Sequence, residues 1–148
     1  MSGNPPAWLY HALDATPRLI SPKDTVKLAL IRPADDTYDA SVFLEIWEIG
    51  GAQPVNSHAS SVETFWFLKG SGQAISDGKA FPVVAGSFLL LPAGSQHRIV
   101  NNSSAKLYAI TTMHPDNGFA SLVEAGTPVS YDEEDLHFIR GSTVSSRG

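Results

Sequence analysis

A chain of 148 residues and 15.8 kDa, 43% of it apolar, is about one domain long and rich enough in apolar residues to bury a core. Ten lysines and arginines against fifteen acidic residues leave a net charge of −5 with no basic cluster, which argues against nucleic acid and against an anionic membrane as partners. Cysteine is absent, so disulfides, thiolate metal sites and a cysteine nucleophile are excluded, and any metal must take nitrogen and oxygen ligands.

Residues 1–22 read as an N-terminal arm, interrupted by Pro5, Pro6, Pro17 and Pro22. The arm has no Lys or Arg before Arg18 and no continuous apolar run, so it lacks both parts of a secretory signal. The longest apolar run, Phe88 to Pro92, is far short of a membrane span, and a cytoplasmic location is expected. From 24 to 113 short alternating segments are separated by Gly, Pro, Asn or Asp, and none keeps a helical period, so this stretch is the expected all-β core. In DTVKLALIR, Val26, Leu28 and Leu30 share one face. SVFLEIWEIG is apolar on both faces apart from Glu45 and Glu48, which predicts cover on both sides from a second sheet or a second subunit.

Further strands are expected at 62–69, 72–76, 79–84, 86–91, 96–101 and 105–112. Asp77-Gly78 predicts a two-residue hairpin, and Pro92-Ala93-Gly94-Ser95 a tight turn. About eight strands with short links suggest an antiparallel sandwich or barrel of the jelly-roll kind. The acidic run DEEDL at 132–136 is expected to be a solvated loop rather than a helix start, and 141–148 a flexible tail.

Two histidine segments carry the chemistry. In GSFLLLPAGSQHRIVN, residues 86–101, the positions Gly86, Pro92, Gly94, His97 and Asn101 resemble the second signature of the cupin superfamily. Upstream, Gly50, Asn56, His58, Glu63 and Gly70 fall at the spacings of the first signature, with Asn56 where a histidine is usual. The resemblance implies one cupin domain over residues 1–148, folded as a double-stranded β-helix (jelly-roll) barrel. It also implies a metal at the barrel's centre, and it covers too many reactions to select one.

The residues support the same site. Strand alternation lets Asn56 and His58 face one side, Glu63 can return to that side on an antiparallel neighbour, and His97 can close the group after its Pro-Gly turn. Two imidazoles and one carboxylate suit Fe(II), with Mn, Ni, Co or Zn also able to bind. Asn56, a neutral and weaker donor, is expected to contact the metal loosely or to orient a ligand from outside its coordination sphere. Gln53 is a polar candidate for the cavity wall. Phe65 and Phe67 share the phase of Glu63 and either line the cavity or fill the core. Trp66 has the opposite phase and would meet the other sheet or a partner. Arg98 points outward on strict alternation from His97. His11, His114 and His137 lie outside both motifs.

The expected function is therefore a metal-dependent dioxygenase or related oxidoreductase acting on a small organic molecule. The alternative is a non-catalytic module that binds a small molecule or metal, with the site degenerate at Asn56. Cupin barrels commonly pair through exposed sheet surface, and the apolar faces around Phe43 and Trp47 are the basis for expecting a homodimer.

Overall fold

Alternation in the central segment becomes strands whose apolar faces meet in one interior. The computed structural model describes residues 3–141. In chain order it contains β1 (Arg18–Leu19), β2 (Val26–Arg32), β3 (Ser41–Trp47), β4 (Val62–Lys69), β5 (Ser71–Ser76), β6 (Lys79–Val84), β7 (Phe88–Leu91), β8 (His97–Val100), β9 (Leu107–His114), α1 (Phe119–Glu124), β10 (Thr127–Pro128) and α2 (Glu133–Arg140). Seven strands form one sheet in the order β10-β1-β2-β3-β9-β4-β7, and three form a second in the order β6-β5-β8. Phe43, Trp47, Phe65 and Phe67 of the first sheet share a core with Ala74 and Ile99 of the second, the inner faces of a β-sandwich closed into a jelly-roll barrel.

Turn chemistry sets the strand ends. Asp77 and Gly78, at φ 47° and 82°, form the turn between β5 and β6, which runs with the strands' own twist. Gly70 joins β4 to β5 at φ 93°, and a Cβ there would run into the carbonyl oxygen of Lys106. Asn101 ends β8 because its side chain is used locally. Its Nδ2 donates to the carbonyls of Glu48 at 3.0 Å and Ala105 at 2.8 Å, and its Oδ1 accepts from Ser103. The expected strand at 105–112 is displaced to 107–114 by that loop.

The second face of β3 is covered by the same chain rather than by a partner. Leu44 and Ile46 pack with Ala15 of the arm, with Tyr108, and with Phe138 and Ile139 of α2. Phe43 and Trp47 point into the interior and are fully buried, so they offer no surface to a second subunit.

The acidic run is a helix start, not a solvated loop. Asp132 caps α2, accepting from the Asp135 amide at 2.9 Å, while the Asp135 carboxylate accepts from the Asp132 amide at 3.0 Å, a reciprocal capping box. Asp135 is completely buried and accepts from Lys27 at 2.7 Å, Lys106 at 3.0 Å and the Tyr108 hydroxyl at 3.0 Å. Burial opposes its ionisation, but the hydrogen bonds from Lys27, the Asp132 amide and Lys106 outweigh that and hold its pKa below the ordinary value.

The arm and the core also differ from their expected bounds. Arg18 and Leu19 pair with β10, and Arg18 with β2, so the end of the arm belongs to the large sheet. Beyond residue 113, Phe119, Ala120 and Val123 of α1 join the main core. Of the expected tail only Gly141 is described, as the C-cap of α2; residues 142–148 lie outside the described part.

Candidate metal centre

Three separate segments bring His58, Glu63 and His97 together. Glu63 is the second residue of β4, on the inward face it shares with Phe65 and Phe67. His97 opens β8, and its backbone exchanges hydrogen bonds of 2.8 and 2.9 Å with that of Asn56. His58 lies in the loop before β4 rather than on a strand, and its carbonyl accepts from the Gly94 amide at 2.7 Å. That bond ties the two signature segments to each other, and Gly94 reaches it from a left-handed φ of 84°.

Glu63 Oε1 lies 2.9 Å from His97 Nε2 and 3.5 Å from His58 Nε2, and all three ligand atoms fall within 4.8 Å of one another. At metal–donor distances of about 2.0–2.2 Å, neighbouring donors stand about 3.0 Å apart in an octahedral site and about 3.4 Å apart in a tetrahedral one. Glu63 Oε1 is buried without a hydrogen bond of good geometry, as expected of an atom whose partner is an ion. The donor set therefore fits a divalent transition metal. His97 Nδ1 sits 3.4 Å from the Ser95 carbonyl oxygen, the contact that leaves Nε2 facing Glu63. Burial disfavours the Glu63 carboxylate, but His58 and His97 beside it more than compensate and hold its pKa below the ordinary value.

A second carboxyl stands behind the first. Glu45 is 1% exposed and accepts from Thr111 Oγ1 at 2.6 Å and Gln53 Nε2 at 2.5 Å. Burial, and then the negative charge of Glu63, push its carboxyl up to about 8 despite those hydrogen bonds. Glu45, Gln53, Asn56, Glu63 and His97 line a small internal pocket of about 50 Å³. Its neighbour is an open bowl of about 870 Å³, lined in part by Asn56, His58 and Phe119. The sequence signal for Glu45 is its phase: it alternates with Phe43 and Trp47, so it had to point inward.

The other expected positions divide. Gln53 lines the pocket, and among the described residues no donor reaches its buried Oε1. Asn56 lines both spaces with Nδ2 3.5 Å from His58 Nε2, while its Oδ1 accepts from the Ser57 amide. Phe65 and Phe67 do not line the cavity. They stack with ring centroids 6.0 Å apart and lean on Trp47 as plain core, because the pleat that aims Glu63 at the cavity mouth carries the next two inward residues deeper. Arg98 is exposed, and its Nε donates to the Gln53 carbonyl from outside. Trp66 is 55% exposed on the outer face and meets no second sheet. His11 caps the turn at Ala12–Asp14, and neither His114 nor His137 joins the metal cluster.

The family model for the cupin domain matches residues 43–113, the stretch that contains His58, Glu63 and His97. Solved structures agree in fold. A predicted oxalate decarboxylase from Thermotoga maritima is 19% identical, with a TM-score of 0.65 over 72% of this chain and 97% of its own. The chain belongs to the cupin superfamily. The cupin domain of Schizosaccharomyces pombe Cnp3 is 14% identical with a TM-score of 0.59, covering 76% of this chain and 77% of that one. A cupin-superfamily sugar phosphate isomerase from Silicibacter pomeroyi is 22% identical with a TM-score of 0.50, covering 58% of each chain. Among curated proteins none matches this cupin. At these identities the likeness is one of fold. No helix among the described residues is long and apolar enough to cross a membrane.

Proposed function

We propose that this cupin holds one divalent transition metal (Fe, Mn, Ni, Co or Zn) on His58, Glu63 and His97, and uses it in an oxygen-dependent oxidation of a small organic molecule seated in the bowl. The observation that supports this best is the convergence of two imidazole nitrogens and one carboxylate oxygen within 4.8 Å at the junction of pocket and bowl. When bound, the metal supplies Lewis acidity and, for a redox-active ion, electron exchange. The chain's own residues do the rest. Glu63 and His97 are each 4% exposed, which keeps bulk water from one side of the centre, while His58 borders the bowl. Asn56, lining both spaces, orients the bound molecule or touches the metal loosely. With no metal bound, burial and then the Glu63 charge hold the Glu45 carboxyl above the ordinary carboxylate range, beside Gln53 in the pocket wall.

The test is elemental analysis of protein purified without a histidine tag or added metal, beside a His58→Ala, His97→Ala double variant. Near-stoichiometric metal in the parent and none in the variant is expected, followed by oxygen consumption with candidate substrates. Unchanged metal content in the variant would overturn the ligand assignment. Tight ligand binding without oxygen uptake or product would replace the enzyme with a binding module.

A further inference from the structure

We infer that the molecule accepted by this cavity is uncharged and bears hydroxyl groups, as a diol, polyol or catechol does, and carries no carboxylate or phosphate; this rests on the metal site proposed above. The first reason is the charge of the walls. Among the described residues that line the pocket and the bowl, none is lysine or arginine, whereas Asp24 and Asp116 are present. The nearest guanidinium along the signature, Arg98, is turned to the outside and occupied by the Gln53 carbonyl. Away from the metal itself, recognition of a carboxylate or phosphate uses a cationic fork or a point charge, and the walls offer neither.

A cationic ligand is disfavoured at the other end of the cavity. A divalent ion with Glu63 as its one charged ligand keeps a net positive charge at the centre, which repels an ammonium brought close to it. Asp116 offers little in return, since its oxygens already accept from Ser41 Oγ at 2.6 Å, the Ala120 amide at 2.9 Å and the Gly118 amide at 3.1 Å.

What remains on offer is hydrogen bonding of the kind a hydroxyl satisfies. Gln53 Oε1 is a buried acceptor without a donor, and a buried acceptor left unpaired costs on the order of 1–3 kcal/mol. A ligand O–H supplies that donor. The same oxygen's lone pairs can accept from the Asn56 amide, a reciprocity that carboxylates and phosphates lack because they bring acceptors only. Val55, Phe119 and Leu122 give the carbon skeleton an apolar wall.

Isothermal titration calorimetry on the metal-loaded protein tests this with two matched pairs, catechol against salicylate and glycerol against glycerol 3-phosphate. Metal content is measured on the same samples, and the titrations are repeated on chelated protein, so loss of the metal site registers separately from a wrong ligand class. The uncharged member of each pair is expected to bind at least tenfold more tightly than its anionic twin. Leu122→Arg, which adds a cation at the exposed rim, is expected to narrow that gap, and Gln53→Leu to weaken the uncharged member about tenfold with metal content unchanged. Tighter binding of salicylate or glycerol 3-phosphate by the parent, or no binding of either uncharged probe, would overturn the inference.

Discussion

Replacing Glu45 by Gln keeps the side chain's size and its ability to bond Gln53 and Thr111, and removes one ionisation. In the parent protein the folded-state value is about 8 against an ordinary 4.5, so the folded chain holds a proton that the unfolded chain releases. A group raised in this way gives its full stabilisation below its unfolded value and loses it as the pH climbs through its folded value. From about pH 5 to about pH 8 the loss is three pH units at about 1.36 kcal/mol each, or about 4 kcal/mol at most. Relaxation and water entry around the ionised carboxylate reduce this, and about 2 kcal/mol is a reasonable floor. Urea unfolding of chelator-treated parent and Glu45→Gln at several pH values should therefore show the variant gaining on the parent by about 2–4 kcal/mol across that range. All other titrating groups are common to both proteins and largely cancel in the difference. Parallel stability profiles would refute the reading of Glu45 as a buried neutral acid.

Truncation of Asp135 to Ala takes from Lys27 and Lys106 their one fully buried partner, leaving Glu48 and, for Lys106, Asp132, and should cost about 3 kcal/mol in urea unfolding; a loss under about 1 kcal/mol would show that Asp135 does not hold the helix. The same network predicts acid sensitivity. Asp132, against the cost of burial, is lowered to about 2 mainly by Lys106, and Asp135 is lowered as well, so their stabilisation is complete above the ordinary carboxylate range and is lost as the pH falls towards about 2. Helical circular dichroism followed downward from neutral pH should report that loss, and Asp135→Asn should blunt it. Gly70→Ala puts a Cβ into the Lys106 carbonyl at φ 93° and should cost more than about 1 kcal/mol, whereas Gly3→Ala, with open space around it, should cost nothing measurable. Trp66 and Phe88 face each other across β4 and β7 with Leu90 beside them, all more than half exposed, and this is where we expect a second copy to pair. Sedimentation of the parent as a monomer at micromolar concentration would remove the dimer, and Trp66→Lys should convert a dimer to monomer.

The barrel was legible because period-two alternation and turn residues are local signals. Strands 62–69 and 79–84 have the bounds that alternation suggests, and Asp77-Gly78 turns where its left-handed preference requires. The convergence of His58, Glu63 and His97 was legible because their spacing is kept within two short segments. What escaped depends on partners distant in the chain. DEEDL reads as a solvated surface until Lys27 and Lys106, 108 and 29 residues from Asp135, are found beneath it. The two-residue strands β1 and β10 are too short to show any period. Phe65 and Phe67 share the phase of Glu63, but phase fixes a face and not a depth, so the cavity and the core below it looked alike.

Trp47 is fully enclosed with its indole nitrogen unpartnered, whereas Trp8 and Trp66 are 54% and 55% exposed. The chain thus carries its own optical probes. Emission at the blue edge is expected from Trp47 and should follow the integrity of the barrel, while emission at the red edge is expected from Trp8 in the arm and Trp66 on the outer face of β4. A soluble quencher such as acrylamide separates the two populations. Loosening of the interior and covering of the outer face can then be followed in one unlabelled sample, at different wavelengths.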